Sequence, residues 1–244
     1  MAINNFDQVA FHGKIETEGA IAGEKFRAVF ISDGKTTRLV AREGTDPPVG
    51  PPLAEILESG GVAISDLDEV AFHGRVVNPN PEAGDTLKAV FTTDGPVARE
   101  ASVLPDGNTL DEITVQSGVA INLFGDVAFH GSVIVPDAGS DSVKAVFTQA
   151  GLVAKEDDIL TSGTLNEIKE QGKVAITNFD VVAFHGKIEI EVEDGLGDTE
   201  EFSAVFTSDG QTTQVAVREG DTLTDGILLK QILLDGGVAI NFDG

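Results

Sequence analysis

Four histidines are the only imidazoles in 244 residues, and all stand in one context, Val-Ala-Phe-His-Gly. They are His12, His73, His130 and His185. Neutral imidazole suits Zn, Cu, Ni and Fe. Four imidazoles at equivalent positions, pointing at a common axis, would make a transition-metal ring. The alternative is structural: a repeat copies its packing residues with everything else, so each histidine bonds to backbone inside its own repeat. The structural reading is preferred, and the four histidines stand as the metal candidates. The deciding question is whether the imidazoles converge.

Other chemistry finds little support. There is no cysteine, so thiolate catalysis, thiolate metal sites and disulfides are excluded. No Gly-x-Ser-x-Gly elbow, Gly-x-Gly-x-x-Gly turn or phosphate loop occurs. Acidic stretches such as DAGSDS from Asp137 and EVEDGLGD from Glu191 offer oxygen ligands to Ca²⁺, but lack the spacing of a calcium loop. A basic residue followed by Glu recurs at Arg42-Glu43, Arg99-Glu100, Lys155-Glu156 and Arg218-Glu219. It reads as an ion pair within or between repeats. A carboxylate pair for glycoside hydrolysis would form in space, so the sequence leaves it open.

Composition sets the partners. With 41 acidic and 16 basic residues the formal charge is -25. Nucleic acid and anionic membrane surfaces repel such a chain. No apolar run reaches the ~20 residues of a membrane helix, and no segment reads as a secretory leader. The 41% hydrophobic content is enough for a core. Tryptophan and tyrosine are absent, which weakens a carbohydrate-binding reading, since sugar sites stack on amphipathic aromatics.

The elements that must position the histidines recur in fixed order. VAIN and a short turn come first, at Ala2, Val62, Val119, Val174 and Val238. VAFHG follows, then KAVF with an Asp-Gly turn, then VAREGDTL ending in LxEI. Short runs of Val, Ile, Phe and Thr between turn residues predict strands, and Asp-Gly predicts hairpins. LxEI reads equally as a helical turn or a fourth strand. Repeats fall near 5–65, 66–122, 123–178 and 179–244, in one domain spanning 1–244. All fourteen phenylalanines occupy repeat positions and read as core.

Units of this size predict an all-β fold, a four-bladed β-propeller of three- or four-stranded antiparallel blades. Five VAIN copies serve four VAFHG copies, so the last, in GGVAINFDG from Gly236, would close the ring on the first blade. An open β-repeat array is the alternative.

INLFGDVAF, Ile121–Phe129, carries Asn-x-x-Gly-x-x-Ala-Phe. It resembles the bacterial tandem-repeat proteins named for that signature, and the likeness spans essentially the whole chain. Asp7, Asp68 and Asp180 replace the Gly in the other copies, and Ser65 and Thr177 replace two of the Asn. The resemblance implies a β-propeller-type, extracellular or cell-surface protein and supplies no catalytic residue. The function expected is a non-enzymatic structural or binding module. The alternatives are a metal-binding propeller and a carbohydrate-binding or carbohydrate-active one. The ligand is open among protein, glycan and metal ion.

Overall fold

A computed structural model describes residues 1–16, 24–80, 84–105, 107–135, 141–192, 198–233 and 237–240. The fold is all-β, built as four antiparallel sheets in chain order. Among the described residues the helical segments are three three-residue 3-10 turns, Glu58–Gly60, Val115–Ser117 and Glu170–Gly172.

The VAFHG strand is the spine of each sheet: Val9–Glu16, Val70–Val77, Val127–Ile134 and Val182–Glu191. On one side it pairs with the KAVF strand, which pairs with the strand leading to Arg/Lys-Glu. On the other side it pairs in tandem with LxEI and VAIN in the second, third and fourth sheets, and with Ala2–Ile3 alone in the first. In the second sheet, Leu53 lies opposite Val76, Ile56 opposite Gly74 and Val62 opposite Phe72. LxEI is therefore both things its sequence allowed: a short strand that ends in a 3-10 turn. The second, third and fourth sheets each take in the LxEI strand that ends the preceding motif-based unit, so the sheets are offset from those units.

The period-two alternation gives every spine two faces. Phe72 and Phe91 lie opposite each other and stack with centroids 5.3 Å apart, and the other three sheets repeat the pair at 5.4 Å. The reverse face carries Ala, His and the Val of KAVF. That reverse face packs on the phenylalanine face of the next sheet. Ala10, Val29 and Ile31 join the core of Phe72 and Phe91. Ala71 and Val90 join that of Phe129 and Phe147, and Ala128 and Val146 that of Phe184 and Phe206. These six phenylalanines are at most 1% exposed, so the apolar drive to stack is satisfied at three internal junctions.

The stacking is propeller-like but not closed. The place beside Val9 and Ala10 is filled by Ala2 and Ile3. Gly237 lies against Gly172 and Lys173, on the turn of the fourth sheet, and 237–240 forms no strand. The expected closure of the ring by the last VAIN copy is thus not found, because its described residues continue the stack instead of turning back to the first sheet. Residues 241–244, including Phe242, lie outside the described residues.

Candidate functional site

Each histidine stays in its own sheet. The backbone carbonyls of His73, His130 and His185 accept the N–H of Leu57, Thr114 and Lys169, which lead into the 3-10 turns. The imidazole lies beneath that turn. A Cβ on Gly60 would sit 2.3 Å from His73 Nδ1, and one on Gly172 would sit 2.2 Å from His185 Nδ1. His185 Nδ1 lies 3.2 Å from the Gly172 carbonyl, the backbone bond expected for a structural histidine. His73 and His130 are fully buried, with both ring nitrogens lacking a full hydrogen bond. Burial pushes His73 down to about 4, partly opposed by the Gly60 carbonyl, and His130 down to about 3. Among the described residues no group of three or more His, Cys, Asp or Glu is arranged to hold a metal ion. Stacking thus puts the four in file, with His73, His130 and His185 each under its own turn and His12 in the first sheet, which has no such turn among the described residues. Of the Ca²⁺ candidates, 137–140 of DAGSDS and 193–197 of EVEDGLGD lie outside the described residues.

The Arg/Lys-Glu motif is a staple between sheets rather than a pair of neighbours. Glu43 accepts the N–H of Arg27 in its own sheet and of Ile56 in the next, both at 3.0 Å. Glu100 does the same for Lys88 and Ile113, and Glu156 accepts the N–H of Ile168. The adjacent bases go elsewhere. Arg42 lies over Phe26 and Arg218 over Phe202, each 5.1 Å from the ring centroid, and Lys155 meets Asp158 at 3.1 Å.

The turn after VAIN explains the Asn-x-x-Gly-x-x-Ala-Phe signature physically. Asn122 Oδ1 accepts the N–H of Phe124 and Asp126, and Asn4, Ser65 and Thr177 lock their own turns alike. The Gly position is left-handed in all four described copies of the turn: Gly125 has φ 87°, and Asp7, Asp68 and Asp180 have φ 60–65°. Gly adopts this freely and Asp is among the few residues that tolerate it. Asn also ties turn to turn, since Asn4 donates to the Ser65 carbonyl at 3.0 Å and Asn122 to that of Thr177 at 3.1 Å.

These turns present the feature the sequence reading missed. Phe6, Leu67, Phe124 and Phe179, taken for core, are 67%, 64%, 69% and 71% exposed. The side chain at the middle of a tight turn points away from both sheets, so it cannot be buried. Large apolar groups at the same place in four successive turns form a ladder on one edge. Its surroundings are acidic: Asp7, Asp66, Asp68, Glu69, Asp126 and Asp180 belong to the same turns, which contain no Lys or Arg. Desolvation and then the Asp94 and Asp126 charges push Glu69 up, and desolvation and then Asp126 push Asp180 up. A cleft of about 340 Å³ opens beside them, lined by Asp126, Asp180, Gln149 and Asp209. Gln149 donates to Asp126 at 2.6 Å and Asn122 to both Asp126 and Asp180 at 3.1 Å. Asp126 and Asp180 thus share Asn122 as a donor and crowd each other's charge.

A family of unknown function, DUF7453, matches residues 3–232. The chain belongs to this family. The match runs through all four sheets of the DUF7453 chain and ends at Ile232. No curated protein matches the sequence. Among the described residues, no helix of this DUF7453 protein is long and apolar enough to cross a membrane.

Proposed function

We propose that this protein is a non-enzymatic binding module, an open stack of propeller-type blades that displays the Phe6-Leu67-Phe124-Phe179 edge to an extended, cationic and apolar partner segment. The observation that carries the reading is the exposure of four equivalent apolar side chains in turns that carry six carboxylates and no Lys or Arg. Clustered exposed apolar groups of this kind mark interaction sites. Adjacent turns touch, so the rungs lie between the ~5 Å of hydrogen-bonded backbones and the ~10 Å of stacked sheets. Alternate side chains of an extended chain are roughly 6.6 Å apart. A segment with apolar residues at every second position would set one on each rung and its basic residues among the carboxylates. The resemblance to repeat-built surface proteins favours an extracellular setting.

The test uses two immobilised peptides, one alternating Leu and Lys and one alternating Leu and Glu. The protein is expected to bind the first and not the second. Replacing Phe6, Leu67, Phe124 and Phe179 together by Ser should weaken binding at least tenfold. Equal binding by the variant, or no binding of the Leu-Lys peptide, would refute the proposal.

A further inference from the structure

One interface is built three times inside the chain and half-built at each end. At each internal junction the staple glutamate holds an Ile N–H, as at Glu43–Ile56, Glu100–Ile113 and Glu156–Ile168. That Ile, and the Leu three residues before it, are then at most 2% exposed. A fourth junction begins at Glu219, which accepts the Ile232 N–H at 2.9 Å. Gly220 donates to the Leu229 carbonyl at 2.8 Å, as Gly44 donates to that of Leu53. Here, however, Leu229 and Ile232 are only half-buried, and the flanking Ile227, Leu228 and Leu233 are exposed. Among the described residues no VAFHG strand pairs with them.

The first sheet shows the opposite deficit. Its spine, Val9–Glu16, pairs on that side with Ala2 and Ile3 alone, so the edge from Phe11 to Glu16 lacks the LxEI strand present in the other sheets. Phe11 and Phe30 are half-buried where their six equivalents are buried. Gly13 is informative. At the equivalent Gly74, Gly131 and Gly186 a Cβ would meet the carbonyl oxygen of Glu55, Glu112 and Glu167 at 2.3–2.9 Å, so glycine there admits the LxEI strand. At Gly13 a Cβ would meet only phenylalanine rings, and the space for the strand is open.

We infer that two copies join head to tail, with Leu229–Ile232 of one copy adding to the free edge of Val9–Glu16 in the other. The register follows the internal junctions: Leu229 faces Ile15, Gln231 faces Lys14 and Ile232 faces Gly13, as Leu53, Glu55 and Ile56 face Val76, Arg75 and Gly74. The phenylalanine face of the incoming first sheet then covers the reverse face of the fourth. The interface is heterologous, so it propagates instead of closing as a dimer. Two chains of charge -25 repel, and screening lowers that repulsion.

The experiment is sedimentation of the full chain over a concentration series, at low salt and at 1 M salt, where the screening length is about 3 Å. The average mass should rise above 25.5 kDa with concentration, and more so at high salt. Gly13→Val blocks the accepting edge and Leu229→Asp the donating strand, and each variant alone should stay monomeric. Their mixture should form dimers and nothing larger, because one good edge and one good strand remain. A mass of one chain at every concentration, or assembly unchanged by both variants, would overturn the inference. Circular dichroism of each variant separates loss of assembly from loss of fold.

Discussion

The carboxylate of Glu100 binds two sheets at once: Oε2 accepts the N–H of Lys88 in the second sheet at 2.9 Å, and Oε1 accepts the N–H of Ile113 in the third at 3.1 Å. Bonds to a charged acceptor contribute about 1.5–3 kcal/mol each, and a buried N–H left alone costs a comparable amount. Glu100→Ala is expected to destabilise by roughly 3 kcal/mol. Glu100→Gln, which keeps one acceptor oxygen, should lose less. Urea unfolding monitored by circular dichroism measures both, and equal stability of Glu100→Ala and the parent would remove the staple from the account.

Acid should loosen the stack before the carboxylates titrate fully. Burial holds His73 at about 4 and His130 at about 3, against about 6.5 for a free imidazole. Above pH 6.5 both states are neutral, so stability from these groups is complete. As pH falls below 6.5 the unfolded chain takes up protons that the native sheets refuse. Stability then drops until about pH 4 for His73 and about pH 3 for His130. Between pH 7 and 5 the loss is roughly 2 kcal/mol per histidine. The urea midpoint should fall over that range in the parent and fall clearly less in His73→Leu/His130→Leu, where only His12 and His185 remain lowered by burial. A pH-independent parent would contradict the assignment.

Phenylalanines of one sequence class should separate into two classes by stability. Phe129→Ala removes a buried ring from a stacked pair and is expected to cost about 3–5 kcal/mol. Phe124→Ser and Phe179→Ser change exposed turn positions and should stay within about 0.5 kcal/mol of the parent. Thermal unfolding distinguishes these cases, and a large loss at Phe124 would mean that the ladder is packed.

The left-handed turn position makes a prediction of opposite signs. Asp180→Gly removes the strain of positive φ and a charge crowded by Asp126, so a gain of about 1 kcal/mol is expected. Gly125→Val places a branched side chain at φ 87°, with its Cβ 2.2 Å from Glu69 Oε2, and should destabilise by more than that. Denaturant midpoints for the two variants should lie on either side of the parent.

The sequence made the strands legible because each repeat states its pattern four times, and the core phenylalanines and Asp-Gly hairpins follow from period two and turn chemistry. Asp33 and Asp209 indeed hold the N–H groups two and three residues on, at 2.7–2.9 Å. Three things were not legible. Glu43, Glu100 and Glu156 act on backbone N–H groups of the next sheet, and a backbone donor leaves no mark in the sequence pattern. The exposure of Phe6, Phe124 and Phe179 depends on the left-handed residue that follows each of them, which turns the side chain away from the sheets. The signal was present in the Gly-or-Asp alternation, since those are the residues that accept positive φ. Closure of the ring could not be read either, because a fifth VAIN copy fits a closing strand and a continuing stack equally well.

The substantial packing between sheets runs only from each sheet to its immediate neighbours. The chain is therefore a one-dimensional lattice of four sites, with stability close to a sum of site terms and three couplings. In such a lattice the two inner sheets are held from both sides and the outer two from one. Amide exchange should be slowest at Val90 and Val146 and progressively faster toward Val29 and Val205, so that the protein melts from its ends inward.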